Sequence, residues 1–214
     1  MAGEKTRLEK ANRRTKASKK VRHMKELQDR IVNEGRCIGT EIVKVDMFLN
    51  HQLDIELFDH MGDEIKRLFV DENPNKILTV ESSGIAIAAS AARAFGYIPV
   101  VFAKKTQPST MTEDAYTAEA RSFTKGTSSV LRVASEFLNE KDRVLIIDDF
   151  LAAGQAGMAL CDIVEQSGGR VVGFCAAIEK KHQGGAELLR KRGVPVKNLA
   201  IIEHIENGKI IFEE

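Results

Sequence analysis

The chain of 214 residues is long enough to enclose one full domain core. Its 43% hydrophobic and 29% charged residues are those of a soluble globular protein, and no run approaches the roughly 18 apolar residues of a membrane helix. The net charge of +1 hides an asymmetry: residues 1 to 25 hold ten Lys or Arg against Glu4 and Glu9, so +8 sits in the tail and −7 in the rest.

A basic arm on an acidic body raises nucleic-acid binding as a function. The arm has no aromatic residue, and only Leu8, Val21 and Met24 are large and apolar. Residues 1–24 therefore read as a solvated, disordered tail or a start-site artefact, and nucleic acid is not an expected partner. No apolar segment follows the charges, so no secretory signal is expected. Cys37, Cys161 and Cys175 are odd in number and lack metal-ligand spacing, which points to reduced thiols and a cytoplasmic setting.

Met24 to Gly35 reads as a helix with Leu27 and Ile31 on one face and Gly35 as its cap. Cys37 to Gln52 reads as irregular, with an apolar patch at Ile42, Val43 and Val45. Residues 54–70 predict an amphipathic helix whose buried face is Ile55, Phe58, Met61, Ile65, Leu68 and Phe69. Then the chain alternates. Strands are expected at 76–80, 99–103, near 121–125 and 129–133, at 143–147 and at 170–178. Helices are expected at 84–95, 155–167 and 184–192. Residues 104–119 are polar and without period. The end, from Val194 to Phe212, holds short strands around an Asn207-Gly208 turn. Alternating strands and helices with continuous apolar strands imply an α/β fold, a parallel sheet covered on both faces. Ligands then bind where the strands end.

The strongest signal is Leu145-Ile146-Ile147-Asp148-Asp149-Phe150-Leu151-Ala152-Ala153-Gly154-Gln155-Ala156. A buried strand runs into adjacent carboxylates, and a loop of small residues opens a helix. Backbone N–H groups at a helix start favour an anion. Ala152, Ala153, Gly154, Gln155 and Ala156 would let a phosphate approach the backbone. Asp148 and Asp149 can accept from ribose hydroxyls and stabilise a cation developing at C1′. The loop is neither a Walker loop nor a dinucleotide fingerprint. A second candidate, Glu81-Ser82-Ser83-Gly84, follows the first core strand. By itself it would pass for a turn with serine caps. Lys104 and Lys105 stand at the base of the aperiodic stretch.

The acidic stretch resembles the signature of the type I phosphoribosyltransferases, which bind 5-phosphoribosyl 1-diphosphate (PRPP). Two positions depart from that pattern: Ala153 stands where many members have Thr or Asn, and Gln155 where many have Gly. The resemblance implies that fold, a mostly parallel central sheet flanked by helices. A small hood lobe comes from both chain ends (about 36–52 and 180–214), within one domain spanning 25–214. It implies that Glu81 to Gly84 form the pyrophosphate loop, and that Lys104 and Lys105 belong to a loop closing over the site. Within the family the chain resembles the xanthine phosphoribosyltransferases of bacterial purine salvage. That likeness rests on Val43-Lys44-Val45-Asp46, Phe48-Leu49-Asn50-His51-Gln52, Ser122-Phe123-Thr124-Lys125 and Ile178-Glu179-Lys180. It implies that Val43, Asn50 and Lys180 hold xanthine, with Val43 and Phe48 packing on the ring and Lys180 donating to O6. It further implies a homodimer and Mg²⁺ brought in with PRPP, with Asp148 or Asp149 as its protein ligand. The acceptor of the purine proton stays open between His51 and Glu81. The alternatives are a PRPP-sensing purine regulator and transfer to guanine, hypoxanthine or adenine.

Overall fold

The computed structural model describes residues 24–39, 41–106, 114–122 and 127–213. The basic arm before Met24 lies outside them. Helix α1 (Lys25–Glu34) buries Leu27 and Ile31. Gly35 ends it in extended backbone, at φ −72°, and not in the left-handed turn that a glycine cap suggests. Its N–H bonds Ile31 O at 3.0 Å, and a Cβ there would run into that carbonyl. Close approach, not a positive φ, asks for glycine. The described chain starts firmly, with Met24 N donating to Leu199 O at 2.8 Å.

The stretch expected to be irregular is more ordered than that. Strands β1 (Arg36–Ile38) and β2 (Ile42–Lys44) form a hairpin with Cys37 opposite Val43, and Asp46–Asn50 make a single π-helical turn. Three-residue strands are too short for alternation to show in the sequence. Helix α2 (Ile55–Phe69) starts at Asp54, whose carboxylate accepts from Leu57 N. Its buried face is Leu57, Phe58, Met61, Ile65 and Phe69, while Ile55 is exposed. The expected face was therefore off at its first turn: capping by Asp54 turns Ile55 outward and Leu57 inward.

The main sheet has six strands: β3 (Lys76–Val80), β4 (Val100–Ala103), β7 (Arg143–Leu151), β8 (Arg170–Lys180), β9 (Ala200–Glu206) and β10 (Lys209–Phe212). Their order is β10-β9-β8-β7-β3-β4, parallel except for β10. The C-terminal strands thus extend the main sheet at its edge. Asn207 and Gly208, both at positive φ, make the expected tight turn. Side chains alternate between two cores. Ile77, Leu145, Ile147 and Cys175 face α1, α2 and helix α3 (Ser83–Ala94). Leu78, Ile146, Phe174 and Ala176 face helix α4 (Gln155–Gln166) and helix α5 (Gly185–Lys191). Both faces are covered, so the strands read as unbroken apolar runs.

The polar stretch after β4 contains the start of a strand. β5 (Ala115–Ser122) pairs antiparallel with β6 (Thr127–Ala134), while residues 107–113 and 123–126 lie outside the described residues. Tyr116, Ala118 and Ala120 turn inward, and alanines carry too little hydrophobic contrast to reveal the alternation. Gln166 of α4 clamps the ribbon, accepting from Thr117 N at 3.2 Å and donating to Thr117 O at 2.9 Å.

From β3 the chain crosses through α3 to β4 on one side. From β7 it crosses through α4 to β8 on the other. The sheet therefore reverses its winding between β3 and β7, which is where α/β folds open a ligand crevice. Helices α2 and α3 support one wall closely: a Cβ on Gly62 would lie 2.6 Å from Ser90 O. Gly62→Ala is expected to lower stability by about 1–3 kcal/mol, read as an earlier midpoint in chemical denaturation.

Candidate active site

Two adjoining cavities lie at the winding reversal. The first, of about 250 Å³, is lined by Asp148 and by residues Phe150 to Gly157, with Ala120, Ser129, Phe174 and Gln183. The second, of about 230 Å³, is lined by Val80 to Gly84, Lys105, Leu131, Asp148 and Asp149. Both also touch Ala120, Ser129 and Ala156. The first is walled by a loop of small residues, the second by a loop of serines. Asp148 belongs to both.

Strand β7 runs past its expected end and carries the acidic pair within it. Asp148 is buried, and its Oδ1 accepts from Asp149 N at 3.0 Å; Asp149 Oδ1 accepts from Phe150 N at 2.9 Å. Burial, then the neighbouring charge of Asp149, push the Asp148 carboxyl well above the usual carboxylate range. Lys105 works in the opposite direction. The Asp148 carboxyl thus resists ionisation, and hydrogen-bond donors or a cation brought beside it would favour its charged form.

Gly84 explains how the serine loop comes so close. A Cβ there would meet Thr79 Oγ1 and lie 3.5 Å from Asp148 Oδ1. Among the described residues Thr79 Oγ1 finds no hydrogen-bond partner, although it is buried. The Glu81–Ser82 peptide is cis. Ser82 makes no side-chain cap bond to α3, so its exposed hydroxyl is not used in holding the helix. Glu81 Oε1 accepts from Lys105 N at 2.6 Å and ties this loop to the root of the ribbon. The two lysines part here. Lys105 lines the second cavity, whereas Lys104 pairs with Arg132 in backbone register and lines a separate apolar cavity of about 300 Å³ with Phe102 and Phe137.

The loop of residues 152–156 is set by two glycines. Gly154 has φ +80° and starts α4, and a Cβ on it would lie 3.0 Å from Gly185 Cα. Gly185 in turn has no room for a Cβ beside Ala152 O, and its N–H donates to that carbonyl at 3.0 Å. Residues 152–156 are thus pressed backbone to backbone on the start of α5 and line the first cavity.

Lys180, at the end of β8, donates to Glu41 O at 2.8 Å and lies 5.6 Å from the centroid of the Phe150 ring. Burial pulls its ammonium below the usual lysine value. Val43 is buried in the hairpin facing the core, and Asn50 is exposed at the end of the π-helical turn. Neither they nor Lys180 line the two cavities. Phe48 is fully buried with Arg30 over its ring, whereas Phe150 follows the acidic pair and lines the first cavity. The π-helical turn, invisible in the sequence, is what turns Phe48 inward. His51 is exposed beyond that turn. Sequence reasoning missed Phe150, Ser129 and Gln183 as cavity residues. Phe150 could have been found from its place beside the carboxylates; Ser129 reaches the cavity only through ribbon pairing.

Residues 44–206 match the phosphoribosyl transferase domain family. The chain belongs to that family. It is 51% identical over 191 residues to a xanthine phosphoribosyltransferase of Ruminiclostridium cellulolyticum, covering 89% of this chain and all of that protein. It is 48% identical over 190 residues to one of Clostridium novyi, with 89% and 100% covered. Among solved structures, the adenine phosphoribosyltransferase of Rhodothermus marinus superimposes with a TM-score of 0.66 at 21% identity, over 83% of this chain and 99% of that one. An APRTase of Giardia lamblia gives 0.69 at 18%, over 86% and 99%. These structures establish the expected type I fold, a mostly parallel central sheet flanked by helices.

The raised Asp148 carboxyl carries a stability consequence. Its ordinary value is 3.8, and a folded value above that costs stability as pH climbs from there. Asp148→Asn is therefore expected to stabilise the ligand-free protein, by about 1–2 kcal/mol or roughly 3–6 °C. Thermal melts should show a larger gain at pH 8 than at pH 5.

Proposed function

We propose that the protein transfers the 5-phosphoribosyl group of PRPP to xanthine, releasing xanthosine 5′-monophosphate and pyrophosphate, as a step of purine salvage. The observation that carries the choice of base is the near-half identity with proteins named for xanthine over their whole length. The adenine enzymes share the fold only.

In this reading the 5′-phosphate sits on the N–H groups of residues 152–156, and the ribose hydroxyls donate to Asp148 and Asp149. The diphosphate lies along Ser82, Ser83 and Gly84 with Lys105 beside it. A ring nitrogen of the base attacks C1′, the bond from C1′ to the diphosphate oxygen breaks, and the nitrogen's proton leaves to an acceptor. The protein aligns the two reactants and stabilises charge, so no covalent nucleophile is required. Carboxylates facing the ribose oppose the positive charge at C1′. The base stacks on Phe150, and Lys180 turns from Glu41 O to a purine carbonyl. Asn50 and Val43 complete the pocket as the hood moves in, and Lys104 belongs to the closing segment.

The carboxyl pair also fits a divalent cation. Among the described residues no group of three or more His, Cys, Asp or Glu could hold a metal alone, while Asp148 and Asp149 repel each other and would gain from a shared cation. Asp149, with Asp148, would hold Mg²⁺ together with oxygens of PRPP. When bound, Mg²⁺ neutralises charge on the leaving diphosphate. The homodimer and the cytoplasmic setting belong to the same proposal, and the free thiols of Cys37, Cys161 and Cys175 fit a reducing compartment.

Purified protein given PRPP, Mg²⁺ and each of xanthine, guanine, hypoxanthine and adenine should release pyrophosphate fastest with xanthine. Lys180→Met should raise KM for xanthine roughly tenfold or more while leaving KM for PRPP within about twofold. No release with any of the four bases would overturn the transferase reading.

A further inference from the structure

We propose that Gln183 is a direct ligand of the 5′-phosphate of PRPP, its side-chain amide adding a donor to a loop built of alanines. The proposal rests on the PRPP reading above and deepens it. A phosphate held by residues 152–156 finds backbone N–H groups there and, from the loop's own side chains, only the amide of Gln155 as a donor. In the wall of the first cavity the side-chain donors are Ser129 on the ribbon, Gln155 on the loop itself, and Gln183 from the turn after β8.

Beyond its place in the cavity wall, three observations favour Gln183 as the donor. The turn is fastened to the phosphate loop, because Gly185 N donates to Ala152 O at 3.0 Å and no Cβ fits between them. Gln183 stands two residues before that fastening, so its position is tied to the loop's. Its Nε2 already donates to a carboxylate, Glu41 Oε2, at 3.1 Å, in an exposed pair that is not needed to hold the turn. An amide nitrogen carries two hydrogens, so one can stay on Glu41 while the other meets a phosphate oxygen. The same side chain then joins the phosphate end of the substrate to Glu41, whose carbonyl holds Lys180.

The test is calorimetry of the full chain with three ligands: PRPP with Mg²⁺, ribose 5-phosphate and inorganic pyrophosphate. Gln183→Leu should weaken PRPP and ribose 5-phosphate roughly tenfold and leave pyrophosphate within about twofold, which also reports an intact site. Gln183→Glu, which faces the phosphate with a carboxylate, should weaken ribose 5-phosphate further, about a hundredfold. Glu41→Ala separates contact from bracing: it should leave ribose 5-phosphate affinity within about twofold. Unchanged ribose 5-phosphate binding in Gln183→Leu, or an equal loss in Glu41→Ala, would overturn the proposal. A wild-type protein that binds pyrophosphate but neither PRPP nor ribose 5-phosphate would instead overturn the PRPP reading, and this proposal with it.

Discussion

Two carboxylates held side by side at the end of a central strand are an arrangement the chain could relieve and does not. Asp148 is buried against its neighbour's charge, and burial drives its carboxyl toward the neutral form. The surrounding structure keeps it there. Gly84 lets the start of α3 come up to it, Gly154 and Gly185 bring residues 152–156 against α5, and the ribbon brings Ala120 and Ser129 to the wall of the cavity. A site that is unfavourable when empty gains most when hydrogen-bond donors and positive charge arrive, which is the pattern of a group kept for function and not for stability.

The winding of the sheet decides why this happens where it does. β3 and β7 are neighbours in space, their crossovers leave in opposite directions, and their ends carry the serine loop and the acidic pair. Fold likeness to enzymes named for adenine speaks to this sheet alone. In the proposed reading the base is met by a hairpin and a π-helical turn that precede the sheet and by the last residue of β8. Lys180 joins these parts through Glu41, across 139 positions of sequence. In the proposed reading a base carbonyl competes with that internal acceptor for the ammonium.

The sheet was legible because its strands are apolar on both faces and its helices are strongly periodic. The acidic pair and its small-residue loop were legible because nothing generic puts Asp148 and Asp149 before Ala152, Ala153 and Gly154. The hidden parts have identifiable causes. β5 alternates with alanines, β1 and β2 are three residues long, and Phe48 is turned inward by a π-helical turn that no residue pattern marks. Gly35 and Gly84 are glycines for lack of space, which a single sequence cannot distinguish from a need for unusual backbone angles. Gln183 reaches the cavity through a close approach of two backbones, a tertiary fact with no local signature.

The claim beneath all of this is that the adjacent aspartates grip the ribose of PRPP while its diphosphate departs. The direct measurement is PRPP affinity and turnover in the Asp148→Asn, Asp149→Asn double variant, beside its thermal melt. A folded protein with kcat/KM for PRPP reduced on the order of a hundredfold or more is the expected result. Wild-type affinity and turnover in that folded variant would contradict the account.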